Sequence, residues 1–232
     1  EDARARLDAA RDGLRDVADP GEHLEMRILD AVLRFDEGHT DQALADLRAI
    51  AERASASGLV STTDNARCQL AHLLYRRRDF GGVLPLLTRV LSYRRMESAP
   101  AMFLRASTLL AEVWFVLGDR AQAEVQWREA LAIARSGKVW AAEASILVHL
   151  ARAAHRRQSW EVADRWLREA EVLYPRDPQA LDAVRLERAY WLVKVGRPAE
   201  ALDKVPADAG HRHASRIEIL RSAAWLGMGR AE

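Results

Sequence analysis

Residues 104–135, LRASTLLAEVWFVLGDRAQAEVQWREALAIAR, decide the fold. Leu110, Ala111 and Trp114 recur at helical spacing, Gly118-Asp119 interrupts them, and Ala123, Trp127, Ala130 and Leu131 resume the same period. The pattern predicts two amphipathic helices joined by a tight turn. Glycine supplies the left-handed backbone that ends the first helix, and the Asp119 carboxylate can accept hydrogen bonds from the first free amides of the second.

The same unit returns along the chain. Small residues stand at Ala31, Ala71, Ala111, Ala151 and Ala189 in the first helix and at Ala43, Val83, Ala123, Ala163 and Ala201 in the second, both series spaced 40, 40, 40 and 38 residues apart. A fixed period of this size signals stacked supersecondary units, none of which can bury its apolar face alone. Turn signals repeat with it, at Gly38-His39-Thr40-Asp41, Asp79, Ser159 and Gly196-Arg197-Pro198. Other caps separate the units: residues 61–64, Ser98 before Pro100, and Tyr174-Pro175 before Asp177-Pro178. Ala3, Leu7 and Ala10 precede Ala43, Leu47 and Ile50 by 40 residues, and Trp225 and Gly229 follow Leu192 and Gly196 by 33. The prediction is an all-α chain of twelve helices forming one domain: a trailing helix at 1–19, helix pairs at 22–57, 61–97, 99–136, 139–175 and 178–209, and a first helix of a further repeat at 212–232. On this reading the chain is an excerpt of a longer polypeptide. Pro206 shortens the second helix of the 178–209 pair, because proline in a helix interior forfeits a backbone hydrogen bond.

On these residues the chain resembles the tetratricopeptide repeat (TPR) family. One unit reads Ala111, Trp114, Gly118, Ala123, Trp127, Ala130; the next reads Leu150, Ala151, Trp160, Ala163, Leu167, Ala170, with Pro175 at the closing proline. Arg34 and Ala154 depart from the large apolar residue of the first helix, and Val83 replaces the first alanine of the second. The period is about six residues longer than the 34-residue norm, similar to long-repeat variants in bacterial regulators. The resemblance implies an α-solenoid, a right-handed superhelix of antiparallel helix pairs whose first helices line a concave groove.

Composition narrows the partners. A net charge of +1 makes no case for nucleic acid. The most apolar window, 101–118, holds Arg105 and Glu112, so no membrane span is expected. The single cysteine, Cys68, rules out an internal disulfide framework and fits a reducing, cytoplasmic setting. Arginine far outnumbers lysine, which occurs only at Lys138, Lys194 and Lys204, a bias expected of GC-rich bacterial coding.

Sequence motifs for catalysis and metal binding lack their companions. Asp79-Phe80-Gly81 spells a kinase metal-binding triplet without a glycine-rich phosphate loop or a His-Arg-Asp loop. His211 and His213 are an i, i+2 pair without a carboxylate or cysteine cluster, a poor zinc site. No catalytic residue, metal or cofactor is therefore expected, and the segment reads as non-enzymatic.

The resemblance carries the groove over position by position. His72, Glu112, Arg152 and Tyr190 form one row, and Arg76, Val116, Arg156 and Lys194 a second, one turn along. Asn65, Arg105 and Ser145 form a third. The basic triplets Arg76-Arg77-Arg78 and His155-Arg156-Arg157 fall at first-helix ends, where positive charge suits the helix dipole. Trp114, Trp127, Trp160 and Trp166 read as packing residues; Trp140, Trp191 and Trp225 become binding anchors if exposed. The expected function is a non-catalytic protein- or peptide-binding scaffold whose mildly basic groove, with Arg76, Arg152 and Arg156 converging on it, captures an acidic partner segment. The alternative is an effector-sensing domain controlling an attached output, either a transcription regulator or a nucleotide-signalling enzyme. Exposed end repeats can also stack on a second copy.

Overall fold

A computed structural model describes residues 2–13, 19–91, 99–173, 178–205 and 214–229. Among these residues there are twelve α-helices and no strand. They are α1 (Asp2–Gly13), α2 (Pro20–Asp36), α3 (Thr40–Ala56), α4 (Val60–Arg76), α5 (Phe80–Val90), α6 (Pro100–Leu117), α7 (Arg120–Ser136), α8 (Trp140–Arg156), α9 (Trp160–Leu173), α10 (Pro178–Lys194), α11 (Pro198–Lys204) and α12 (Ala214–Gly227). Even-numbered helices are the first members of pairs, here A helices; odd-numbered helices are B helices.

The chain divides into two compact units, Glu1–Val113 and Trp114–Glu232. In the first, α1 packs on α2, α2 on α3, α3 on α4 and α4 on α5, while α2 also lies against α4, its counterpart one repeat on. In the second, each helix from α7 to α12 packs on the next, and the A helices α8, α10 and α12 also touch in succession. Neighbour-on-neighbour packing, with like helices stacked, is a solenoid-like all-α arrangement.

Both small-residue ladders are buried throughout. Ala31 is 1% exposed, and Ala71, Ala111, Ala151, Ala189, Ala43, Val83, Ala123, Ala163 and Ala201 are all 0% exposed. A methyl-sized side chain lets two helix backbones approach, and larger residues must then fill the neighbouring gaps to interior density. Leu47, Leu87, Trp127 and Leu167 do so, one per repeat and all buried. Cys68 shares the register of Ile28 and is equally buried. It behaves as a small apolar residue, and burial pushes its thiol up to about 11. The α6 helix is long and apolar enough to cross a membrane, at a mean hydropathy of 1.4. Its Leu104, Ala106, Ser107, Leu109, Ala111 and Val113 are buried by protein instead.

The degenerate first repeat is compensated rather than empty. Arg34 sits where later units carry Leu74 and Trp114, and it pairs with Asp30 at 2.7 Å and Asp46 at 3.0 Å. Asp30, itself buried, also takes Arg4 of α1. A polar pair has replaced an apolar contact at the same register.

Turns follow the same period. The His39, Asp79, Ser159 and Arg197 amides each donate at 2.9 Å to a carbonyl five residues earlier, the bond that closes a helix through a left-handed residue. That residue is Gly38, Arg78, Gln158 or Gly196, with φ of 96°, 63°, 60° and 76°, and Gly118 at 100° stands in the same register. Thus Arg78 and Gln158 adopt the glycine conformation without being glycine. Asp79 and Asp119 cap the following helices, accepting from the Gly82 and Gln122 amides at 3.1 and 3.0 Å. His39 and Arg197 make no such side-chain cap.

The α11 helix spans only 7 residues against 17 in α3. Val205 is already extended, at ψ 120°, the backbone that a following proline imposes. Pro206 itself lies outside the described residues, as do Ser98, Tyr174, Pro175, Asp177, His211 and His213.

Two stability outcomes follow. Ala111→Leu or Ala123→Leu forces extra methylenes into a closed helix contact and lowers the unfolding free energy by about 1–3 kcal/mol, measured by urea titration; an unchanged midpoint in both would refute the packing register. Gln158→Gly relieves left-handed strain that costs about 1–2 kcal/mol, partly offset by about 0.4–1 kcal/mol of added unfolded-state freedom. The variant therefore melts above the parent in calorimetry, and a lower melting point contradicts the assignment.

Candidate functional site

In the Glu1–Val113 unit, α4 carries Asn65, His72 and Arg76, and α6 carries Arg105 and Glu112. Arg76, Arg105 and Glu112 come together around His72. His72 is held below the usual imidazole pKa, first by burial; Glu112 opposes that shift, Arg105 and Arg76 reinforce it, and Asp36 opposes it. Its ring nevertheless keeps an exposed edge. Glu112, Arg105, Arg76 and Asp36 therefore lie close enough to His72 to act on its charge.

Arg76 is already engaged there. Its Nη1 donates to Asp36 Oδ1 at 2.7 Å, and its guanidinium lies 4.6 Å from the centre of the Phe35 ring. Asn65 Nδ2 donates to Glu25. Both partners stand 40 residues earlier, one repeat back in the same register. Arg105 is exposed and makes no ion pair among the described residues.

In the Trp114–Glu232 unit, α8 carries Ser145, Arg152 and Arg156, while α10 carries Tyr190 and Lys194. Arg152 is engaged as well: its Nε donates to Glu187 Oε1 at 2.9 Å and its Nη2 binds the same oxygen. Arg216 of α12 reaches that oxygen at 2.8 Å. Glu187 is only 5% exposed. Burial alone would raise its pKa, but Arg152 and Arg216 outweigh it and hold the carboxyl below its usual range. This carboxylate therefore ties three successive A helices together.

Arg156 and Lys194 remain available. They are the last residues of the neighbouring helices α8 and α10, and both are exposed. Arg156 makes no ion pair among the described residues. Lys194 Nζ lies 5.5 Å from the Tyr190 ring centre, and Tyr190 is 41% exposed. Its other neighbour is His155, edge-on at 6.2 Å, which in turn meets Trp160 at 5.8 Å. Burial lowers the His155 pKa, Glu187 opposes that shift and Arg152 adds to it. Its Nε2 is buried without a hydrogen-bond partner. Lys194 and Tyr190 thus form a short cation–aromatic wall on α10, and Arg156 ends the adjoining helix α8.

The sequence rows place these residues but not their occupancy. Asp36 was findable, since it sits one period before Arg76. Glu187 was not, because its offset of 35 from Arg152 belongs to no repeat interval and arises only when α10 packs against α8. Of the uncertain tryptophans, Trp191 is buried, whereas Trp140 and Trp225 are each 48% exposed. No cluster of metal-ligating side chains occurs among the described residues.

Fold and surface together define an all-helical, repeat-like protein with polar A-helix faces. No protein-family model matches the sequence, and no curated protein matches it. The crystal structure of BtubC (BKLC) from P. vanneervenii is similar, with a TM-score of 0.62 over 89% of this chain and 85% of that chain. At 18% identity the likeness concerns the fold alone.

The Glu187 clasp sets an acid limit. Its carboxylate is stabilised in the folded state, so its contribution is complete above the unfolded value of 4.5 and is lost as pH falls through the lower folded value. Glu187→Gln leaves Arg152 and Arg216 without their anion, and because both arginines are more than a third exposed the cost at neutral pH is on the order of 1 kcal/mol. It also flattens the acid limb of a stability-versus-pH curve; an unchanged limb would show that the clasp contributes nothing.

Proposed function

We propose that this chain is a non-catalytic binding module of the tetratricopeptide repeat type that captures an acidic segment of a protein partner along its A-helix faces. In the Trp114–Glu232 unit the contact is made by Arg156, Tyr190 and Lys194. The observation that carries this reading is the exposed Tyr190 ring beside Lys194 on α10, with exposed Arg156 at the end of the adjoining α8, neither cation paired with a carboxylate among the described residues. An aromatic ring supplies contact area at small entropic cost, and the cations orient carboxylates. Arg156 can offer a bidentate fork. In the Glu1–Val113 unit His72 and Arg105 play the same part, while Asn65, Arg76 and Glu112 shape the surface. Arg152 acts chiefly through Glu187. The module is a regulatory or scaffolding part of a bacterial, cytoplasmic protein, a reading supported by the arginine-rich composition and the single, buried Cys68.

Charge reversal tests the site without touching the clasp. Arg156→Glu with Lys194→Glu should abolish pull-down of the native partner and leave far-UV circular dichroism unchanged. Arg120→Glu with Lys138→Glu, at exposed positions at or just past the ends of α7 that make no ion pair among the described residues, should weaken only long-range steering. Equal loss from both pairs, or none from the first, would place the partner on another surface.

A further inference from the structure

A second feature lies away from the A-helix rows. In the Glu1–Val113 unit, Arg48 and Glu52 of α3, Arg67 and Leu70 of α4, and Leu86 and Arg89 of α5 are among the residues that line an open cleft of about 490 Å³. Its floor is apolar: Leu70 is 3% exposed, Ala51 of α3 is 8% exposed, and Leu86 is half-buried. The charged lining is three arginines against one carboxylate. Arg67 has Asp64 only at 3.6 Å, too far for a strong hydrogen bond. Arg48 and Arg89 form no ion pair or hydrogen bond among the described residues.

A single unpaired surface arginine says nothing, since water solvates it well. The arrangement here is different, because two unneutralised guanidiniums from successive B helices share one apolar-floored cleft with a third that is weakly paired. Arginines on the A-helix faces, such as Arg76 and Arg152, have their anions supplied from within the chain. Here Glu52, one turn from Arg48, is the one carboxylate in the lining, and among the described residues neither Arg48 nor Arg89 forms an ion pair with it.

We infer that this cleft binds an acidic segment of a protein partner, with two carboxylates flanking one apolar side chain. Carboxylates match the guanidinium fork, and the apolar group would cover Ala51, Leu70 and Leu86, giving the contact its depth. A free inorganic anion would leave that floor uncovered. Nucleic acid calls for an extended basic track, whereas this lining includes Glu52 and the whole chain carries a net charge of +1. The site is on different helices from the Arg156, Tyr190 and Lys194 wall and stands or falls separately from it.

The probe is a fluorescein-labelled peptide, Asp-Glu-Leu-Glu-Asp, with its uncharged counterpart Asn-Gln-Leu-Gln-Asn, titrated with the whole chain by fluorescence anisotropy. The acidic peptide should bind at least tenfold more tightly than the uncharged one and weaken as salt rises. Arg48→Glu with Arg89→Glu should reduce that affinity at least tenfold, as should the gentler Arg48→Gln with Arg89→Gln, with circular dichroism confirming that either pair folds. Arg120→Glu with Lys138→Glu, at exposed positions outside both proposed sites, should leave it unchanged. Absence of saturable binding to the parent protein overturns the inference, as does equal affinity for the two peptides or retention of binding in a folded arginine pair. Displacement by equimolar inorganic phosphate would show a simple anion site, and tighter binding of a labelled single-stranded oligonucleotide would show the wrong class of partner; either result overturns it too. Loss confined to the Arg156 and Lys194 variant would assign the peptide to the A-helix wall and reject this cleft.

Discussion

Close approach of helix backbones at buried alanine is the constraint on which the remaining features rest. A helix pair of this size cannot bury its apolar stripe alone, so each unit must be sealed by its neighbours. That sealing requires a small residue at the same place in every repeat, because one large side chain there would separate two helices and open gaps on both sides. The invariably buried positions of Ala71, Ala111, Ala151 and Ala189 on the A helices, and of Ala123, Ala163 and Ala201 on the B helices, meet this demand. Trp127 and the leucines in its register then fill the space that the alanines leave.

Once the backbones are held at that spacing, charged residues on the A helices fall into rows, and the rows answer one another across repeats. Asp36 meets Arg76 and Glu25 meets Asn65 at intervals of 40 residues. Glu187 clasps Arg152 and Arg216. On the B-helix side Glu124 is buried, and hydrogen bonds from Arg157 lead the effects that hold it below its usual pKa, against the opposing pull of burial. These internal pairs consume much of the positive charge that composition alone would assign to binding. Among the cations left for a partner are Lys194 beside Tyr190, Arg156 at the end of α8, Arg105 near His72, and Arg48 and Arg89 of the α3–α5 cleft.

The turns show the same economy of means. Six positions in one register take left-handed backbone, and four of them are glycine. At Arg78 and Gln158 the packing on either side of the turn imposes the conformation on residues that disfavour it. Local preference and tertiary demand disagree there, and the tertiary demand wins.

Periodicity of small residues was enough to determine the helix pairs, their order and their buried faces, because burial repeats wherever the packing geometry repeats. It also determined which residues share an A-helix face, since equal register means equal direction from the helix axis. It could not determine which of those residues are free. Arg76, Arg152 and Arg156 look alike in the chain, yet Asp36 occupies the first, Glu187 the second, and no carboxylate among the described residues the third. The same holds for the tryptophans, where Trp191 is enclosed while Trp140 stays exposed. Neutralisation and exposure depend on what a neighbouring helix brings within a few ångströms, often at offsets unrelated to the repeat, and only the tertiary structure sets those distances.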